Sequence, residues 1–344
     1  MNLLFTCAGR RKYLVDYFKE EILNFGHGVI VGTDMSENAP ALSSCDIRYK
    51  VPSVYDDNYI DELLKVCKIN NINALLSLSD LELPILSANK NKFEDLGVQV
   101  VVSDMSVIDI CSDKWKTFQF ALEHNIPTPK TYLDILSVVN DLQDEQLSFP
   151  LIVKPRWGSA SFGLFVVNTI EDLKERFEQC FHDIKKSHIS QFALDDSCVI
   201  IQEFIQGKEY GLDIFNDLNG DYRGVVCKEK LSMRAGETEK SLSVSSDKFK
   251  EYVSKISEQL RHIGNLDTDF LENDKGLYLL ELNPRFGGGY PFSHNSGGNL
   301  VKALLQSLGG QNDEIEIKYE TDKTFAKCDE IVEVGNFLME KSLC

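Results

Sequence analysis

Within the first hundred residues, strand-length apolar runs alternate with stretches at helical spacing, which restricts this part of the chain to βαβ units and a parallel sheet. Asn2 to Cys7 reads as a strand, and Arg11 to Phe25 places Leu14, Val15, Phe18, Ile22 and Phe25 on one helical stripe. Gly28 to Thr33 reads as the next strand, ending at Asp34. A helix near Asn58 to Lys68 then precedes strands at Ala74 to Leu78 and Val98 to Val102. The expectation for this part is a small doubly wound α/β domain.

From Ser112 the pattern changes. Ser112-Asp113-Lys114 reads as an N-cap followed by an acidic first turn of a helix running to about His124, and Ile126-Pro127-Thr128-Pro129 stops it. Between Pro150 and Glu203 lie a strand, a Gly/Ser turn, a helix near Ile170 to Lys186 and a strand at Val199 to Gln202, a compact α+β unit. From Tyr210 to Leu282 antiparallel strands dominate, broken by one helix near Lys248 to Ile263. The expected divisions are residues 1–112, 113–202, 203–310 and a mostly acidic tail, 311–344, that carries no assigned role.

Composition limits the function classes. With 43% apolar and 26% charged residues the chain reads as an ordinary soluble globular protein, and its longest apolar runs are far too short to cross a bilayer. A formal charge of -18 repels nucleic-acid backbones, so neither a nucleic-acid nor a membrane partner is expected, and any phosphate ligand needs local groups that override the global field. Arg10-Arg11-Lys12 follows Met1 in the wrong order and at the wrong length for a secretory signal. The nine cysteines include no Cys-x-x-Cys pair and point to reduced, mostly buried thiols. A cytoplasmic protein is expected.

Three constellations can carry chemistry. In Lys154-Pro155-Arg156-Trp157-Gly158-Ser159-Ala160-Ser161-Phe162-Gly163 a lysine leaves a strand into a small-residue turn, which sets an ammonium beside free backbone N–H groups suited to a polyphosphate. A plain hairpin with a snorkelling lysine is the alternative. In Gln202-Glu203-Phe204-Ile205-Gln206-Gly207-Lys208-Glu209 a strand end offers backbone donors and acceptors to a purine edge, and Glu209 can accept ribose hydroxyls. The third is Leu277-Tyr278-Leu279-Leu280-Glu281-Leu282-Asn283-Pro284-Arg285. Strand alternation puts Tyr278, Leu280 and Leu282 on one face and Glu281 and Asn283 on the other. A turn over Glu272 to Gly276 makes a hairpin with Leu266 to Leu271 and brings Asp267 and Asp269 near Glu281. Carboxylates this close repel unless a cation lies among them, and magnesium fits their hard oxygens. Arg285 suits a phosphate or a carboxylate.

In this order, Lys114, Lys154 with its loop, Glu203 to Glu209, and Asp269 with Glu281-x-Asn283-Pro284-Arg285 resemble the ATP-grasp superfamily over roughly residues 1 to 310. The likeness is greatest to carbamoyl-phosphate synthase large-subunit-like proteins and stand-alone carboxylate–amine ligases, including their opening Thr6-Cys7-Ala8-Gly9-Arg10-Arg11. The resemblance implies an ATP-grasp fold, α/β and α+β, preceded by the small doubly wound domain. It implies ATP and Mg2+, two ions with Mn2+ as a substitute, and a ligase that forms a C–N bond between small-molecule carboxylate and amine substrates through an acyl phosphate.

By position, Lys114 and Lys154 match the two phosphate lysines, and Ser159, Ser161 and Gly163 the loop over them. Glu203, Phe204 and Ile205 match the adenine hinge, Glu209 the ribose ligand, and Asp269, Glu281 and Asn283 the metal ligands. Arg285 matches the residue that stabilises the acyl phosphate. Ala160 stands where a second glycine is usual, and Asp269 where the carbamoyl-phosphate enzymes tend to have an amide, which leans toward the amino-acid ligases.

For the acceptor pocket the candidates are Arg234, as a clamp for a substrate carboxylate, Gly287 to Tyr290, His294 and, from the first domain, Glu82. Rival functions are carboxyphosphate or carbamate chemistry and an ATP-binding regulatory subunit without turnover. A dinucleotide-dependent oxidoreductase lacks its Gly-x-Gly-x-x-Gly turn, since only Gly9 follows the first strand. A homodimer is the usual expectation for the assembly.

Overall fold

The computed structural model describes residues 1–158, 162–187, 189–234 and 236–334. It opens with β1 (Leu3–Thr6), α1 (Lys12–Asn24), β2 (Ile30–Asp34), β3 (Ile47–Lys50), α2 (Tyr59–Ile69) and β4 (Ala74–Ser77). The helices α3 (Leu83–Ala88) and α4 (Lys90–Glu94), strand β5 (Gln99–Val100) and α5 (Met105–Ser112) follow. The five strands form a parallel sheet in the order β3-β2-β1-β4-β5. Because the chain builds outward from β1 on one side and then from β4 on the other, β1 and β4 flank the topological switch point. Leu3 and Phe5 pack on one face with Leu14 and Phe18, while Leu4 and Val31 pack on the other with Leu63 and Leu83. Burial on both faces is why these strands read as unbroken apolar runs. β5 is shorter than its apolar run: Val98, Val100 and Val102 all enter the core, but only Gln99 and Val100 pair with β4.

Next come α6 (Lys114–Glu123), β6 (Thr131–Tyr132), α7 (Ile135–Gln143), β7 (Leu151–Pro155), β8 (Phe165–Val167), α8 (Ile170–Lys185) and β9 (Val199–Glu203). Ser112 does not open α6; it ends α5. The cap is Asp113, whose carboxylate accepts from the Trp115 N–H at 3.0 Å and the Lys116 N–H at 3.4 Å, so the expected acidic first turn is the cap itself. The antiparallel sheet β6-β9-β7-β8 is covered by α8, whose Leu173, Phe177, Cys180 and Ile184 recur at helical spacing against Val153, Val167 and Ile201.

The remainder is β10 (Lys208–Asn216), β11 (Tyr222–Arg234), β12 (Glu237–Val244), α9 (Lys250–Leu260), β13 (Gly264–Asn273), β14 (Gly276–Asn283), α10 (Tyr290–Asn295), α11 (Leu300–Leu308) and β15 (Thr324–Ala326). The antiparallel sheet runs β14-β13-β10-β11-β12-β15. Tyr210, Leu212, Ile214, Phe270, Leu279 and Leu282 bury one face against Val253, Ile256 and Leu260 of α9. α11 instead joins α1 over the parallel sheet, with Leu300 and Leu304 in the core of Leu14 and Phe18. The acidic tail has a structural part to play, because Thr324–Ala326 pairs with Leu242, Ser241 and Lys240 as the sheet's edge strand. Among the described residues every cysteine is free, and six of them are buried. No described helix is long and apolar enough to cross a membrane.

Candidate active site

The β13–β14 hairpin closes between Asn273 and Gly276 and pairs Asp269 with Glu281 and Asp267 with Asn283. Between Glu281 and Leu279 the register slips, Phe270 pairing with Leu279, so Leu280 is an extra residue in β14. This corrects the simple alternation: Leu277, Leu279 and Leu282 face the core, while Tyr278 and Leu280 are partly exposed. Glu281 and Asn283 still share the face opposite Leu282. Among the described residues neither of these two side chains makes a hydrogen bond or an ion pair.

Alternation on the neighbouring strands brings Glu209, Lys230 and Asp269 to that same face. Lys230 Nζ lies 2.7 Å from Glu209 Oε1 and 2.7 Å from Asp269 Oδ1. The second contact is an ion pair without hydrogen-bond alignment, which leaves the buried Asp269 Oδ1 without a donor. Burial, reinforced by Asp267, Glu209 and Glu281 and opposed by Lys230, pushes the Asp269 carboxyl up to about 7. Burial works against the Lys230 ammonium too, but Asp269, Glu209 and Asp267 outweigh it and hold the group charged. Lys230 was missed from sequence. The available signal was Val226-x-Lys228-x-Lys230 at strand period, which puts two lysines on the face of a buried strand.

Arg285 follows a tight turn in which its N–H donates to the Asn283 carbonyl at 2.8 Å across Pro284. Its side chain is 8% exposed and is gripped from two sides, by Asp267 Oδ2 at 3.0 Å and by Asp80 Oδ2 of the β4–α3 loop at 2.8 Å. Burial disfavours its charge, and the two carboxylates more than offset that. For Asp267 burial is likewise the largest influence, yet Arg285, Lys228 and Lys230 leave its carboxyl below the usual range. Arg285 Nε is buried with no hydrogen-bond partner. Gly287 is required next, because a Cβ there would fall 2.1 Å from Asp267 Oδ2. Asp267 thus belongs to Arg285 in this arrangement rather than standing as an open ligand.

The lysines come from the four-stranded unit. Lys154 on β7 is buried and donates to Gln202 Oε1 at 2.7 Å, and Gln202 is itself fixed by a 2.9 Å bond to Thr131 Oγ1. Burial and the neighbouring Lys114 push its ammonium down to about 8, and the Glu281 carboxylate pulls the other way. Lys114, in the first turn of α6, donates to the Gly158 carbonyl at 2.5 Å. Asp113 in turn anchors Arg156 with two bonds of 2.7 Å. Gly163 has φ +64°, and a Cβ there would press on Pro155 at 3.2 Å, so glycine suits the turn. Ser159 and Ser161 lie outside the described residues. Glu203 ends β9, pairs with the Lys130 backbone and lies near Tyr278; Phe204 and the buried Ile205 continue toward β10.

Three acceptor candidates sit elsewhere. Glu82 does not face a cleft: it is fully buried and accepts from Thr6 Oγ1 at 2.7 Å, Ser77 Oγ at 2.5 Å and Tyr59 OH at 2.5 Å. Arg234 is exposed near the β11–β12 turn and pairs with Asp329 at 2.7 Å and Glu239 at 3.4 Å, four residues beyond Lys230 and outside the cluster. His294 stacks on Tyr17 at 3.7 Å, and its Nδ1 lies 3.0 Å from Tyr290 OH. That hydroxyl accepts from the Leu300 and Val301 N–H groups, so it donates to the imidazole. The His294 reading is a satisfied structural histidine.

The residues fit a hard divalent cation in part. Asp269 and Glu281 bring their carboxylates together across the ladder beside an unpartnered Asn283 amide, and the buried Asp269 Oδ1 lacks an aligned donor. Among the described residues no group of three or more His, Cys, Asp or Glu side chains stands in metal-holding geometry, so a bound ion would take its remaining ligands from substrate and water.

The chain resembles known proteins over most of its length. Residues 3–101 match the family described as PylC-like, N-terminal domain, and residues 111–289 match the ATP-grasp domain. The carbamoyl-phosphate synthase of Methanobrevibacter smithii is 24% identical over 94% of this chain and 86% of its own length. The 3-methyl-D-ornithine--L-lysine ligase of Methanosarcina acetivorans is 24% identical over 78% of this chain and 68% of its own. In the carbamoyl phosphate synthase large chain of Vibrio parahaemolyticus the match spans only 23% of that longer protein. Among solved structures, the biotin carboxylase domain dimer of Hydrogenobacter thermophilus 2-oxoglutarate carboxylase, with MgADP and bicarbonate, superposes with a TM-score of 0.72 at 15% identity over 92% of this chain and 72% of that one. The ADP complex of Staphylococcus aureus N5-carboxyaminoimidazole synthetase gives 0.69 at 16% identity over 92% and 79%. The ATP-grasp match alone spans more than half of the 344 residues: the chain belongs to the ATP-grasp family of ATP-dependent carboxylate–amine ligases.

Proposed function

We propose that this ligase joins a small carboxylate, of the amino-acid or peptide kind, to an amine through an acyl phosphate. The observation that carries the reading is the hairpin face that presents Asp269, Glu281 and Asn283 together, with Arg285 just beyond and the buried Lys154, whose ammonium feels the charges of both Lys114 and Glu281. ATP lies with its phosphates at Lys114, Lys154 and the residues Ser159, Ser161 and Gly163, its adenine at Glu203 to Ile205 and its ribose at Glu209. Asp269, Glu281 and Asn283 would hold magnesium, as two ions or with manganese in their place, and its charge would neutralise the phosphates.

A carboxylate oxygen attacks the γ-phosphorus and ADP leaves, a reaction that needs alignment and charge neutralisation more than covalent help from the protein. The amine then attacks the carbonyl carbon. The C–N bond forms, the C–O bond breaks with its electron pair going to phosphate, and the nitrogen sheds a proton. Arg285, already fixed by Asp80 and Asp267, holds the developing oxyanion. Its orphaned Nε–H supports that role.

A second reading rests on the carbamoyl-phosphate synthase match over 94% of the chain: carboxyphosphate or carbamate chemistry, for which bicarbonate and ammonia are the substrates to try. We also propose unit boundaries at residues 1–112, 113–202 and 203–310, a cytoplasmic location, and a homodimer like the dimeric biotin carboxylase neighbour.

The test is ADP release with MgATP across carboxylates mixed with amines, with bicarbonate and ammonia as one arm, for wild type and Glu281→Gln. Turnover that needs both an acid and an amine and is lost in the variant supports the ligase. Turnover only with bicarbonate and ammonia selects the second reading. ATP binding without turnover anywhere overturns both.

A further inference from the structure

The crevice at the carboxyl ends of β1 and β4 is where an open parallel sheet offers a ligand site. Its floor is closed here by Glu82 and its three hydroxyl donors. The two loops that leave it therefore project their charges outward. Cys7 at φ 48° and Gly9 at φ 56°, the latter's N–H bonded to Asp34 Oδ2 at 2.9 Å, turn the first loop so that Arg11 reaches the Phe286 carbonyl at 2.5 Å. The second loop carries Asp80 to Arg285.

Arg11 has five N–H donors, and among the described residues its side chain makes that one hydrogen bond. Arg285 Nη1 reaches the same Phe286 carbonyl at 3.5 Å, so two guanidiniums stand side by side with donors to spare. Asp80 is committed to Arg285 through Oδ2 alone, and its side chain is 33% exposed. Arg285 divides the space, with Nη1 turned to Asp267 on the metal-ligand strand and Nη2 to Asp80 on the parallel-sheet side.

We propose that Arg11 and Asp80 form the acceptor subsite, Arg11 binding the α-carboxylate of an amino acid and Asp80 its ammonium; once that ammonium has given a proton to the Asp80 carboxylate, the free amine faces the acyl carbon held at Arg285. This rests on the ligase reading above and names the acceptor for it. A zwitterion with both charged groups on one carbon matches a guanidinium with donors to spare and a half-committed carboxylate brought together by two loops of the same crevice. Fixed complementary charges of this kind reject analogues that lack either group.

The experiment is isothermal titration of the full chain, loaded with a non-hydrolysable ATP analogue and magnesium, with the L-amino acids and D-alanine, and with the carboxamide and 2-hydroxy-acid analogues of any that bind. Wild type is expected to bind at least one amino acid and to bind its carboxamide and its hydroxy acid about tenfold or more weakly. Arg11→Gln should erase the preference over the carboxamide and keep that over the hydroxy acid. Asp80→Asn should do the reverse, and Arg11→Lys should restore part of the first preference. Affinity for the ATP analogue should change less than about twofold, since neither residue is placed on the nucleotide. Preferences that survive in both variants overturn the subsite, as does a wild type that binds no amino acid or does not discriminate against the analogues. ADP release from another acid and amine pair would still leave the ligase standing in those cases. The carboxamide arm needs no variant, so a misfolded Arg11→Gln does not shield the idea.

Discussion

The parallel sheet and the six-stranded sheet spend their burial differently. β1 and β4 bury apolar side chains on both faces, Leu3 and Phe5 on one and Leu4 on the other. The antiparallel sheet buries Tyr210, Leu212 and Phe270 on one face and crowds Glu209, Asp213, Lys228, Lys230, Asp267 and Asp269 on the other. Charge at this density costs desolvation that pairing recovers only in part. Asp213 and Lys228, 2.6 Å apart and nearly inaccessible, need Ser293 and Asn265 to complete their bonding. The contrast separates a sheet built for stability from one whose chemistry is kept against stability.

The sharpest way to break that contrast is to exchange the losses. Glu281→Gln should lower ADP release by about a thousandfold or more, the scale of losing transition-state charge stabilisation, here from a cation that Glu281 would hold, while the melting temperature holds or rises because a carboxylate beside Asp269 is gone. Leu4→Ala should do the opposite. It should lose about 3 kcal/mol in denaturant unfolding, with the KM for ATP unchanged in the folded fraction. If Leu4→Ala raised that KM, or Glu281→Gln unfolded the protein, the separation would be wrong. Lys228→Met probes the boundary between the two roles. It leaves Asp213 buried and unpaired, so about 3 kcal/mol of stability should be lost, and unfolding curves that match wild type would show the pair to be dispensable.

The same contrast explains what was legible. The apolar runs and helical stripes of the parallel sheet announced themselves, since each residue there does only what its local pattern says. Glu281 and Asn283 could be placed together because a short turn fixes the register across from Asp267 and Asp269. The bulge at Leu280 was invisible, because nothing local distinguishes an extra leucine in a leucine-rich strand. Lys230 and Asp80 were also hidden. One depends on three strands meeting side by side, and the other on a loop crossing 205 residues of sequence to reach Arg285. Glu82 and Arg234 misled for the complementary reason, since an acid beside a turn and an arginine near a hairpin tip look alike whether they face a substrate or their own neighbours.

The smallest effect sharpens the comparison at one buried charge of the four-stranded unit. Lys154 has its ammonium pushed down from the ordinary 10.5 to about 8. Between those values the unfolded chain holds more protons at this position than the folded one, so stability without ligand should rise as pH climbs from about 8 to about 10.5, and Lys154→Met should flatten that rise. Phosphate beside Lys154 favours the ammonium and raises its pKa. Binding an ATP analogue at pH 8 should then draw in about half a proton, read as the dependence of the titration heat on buffer ionisation enthalpy. Because the proton is bound only with the nucleotide, affinity should fall as pH rises past 8 in wild type and stay level in Lys154→Met. Equal proton uptake in the two proteins would remove Lys154 from the phosphates while leaving the carboxylate face untouched.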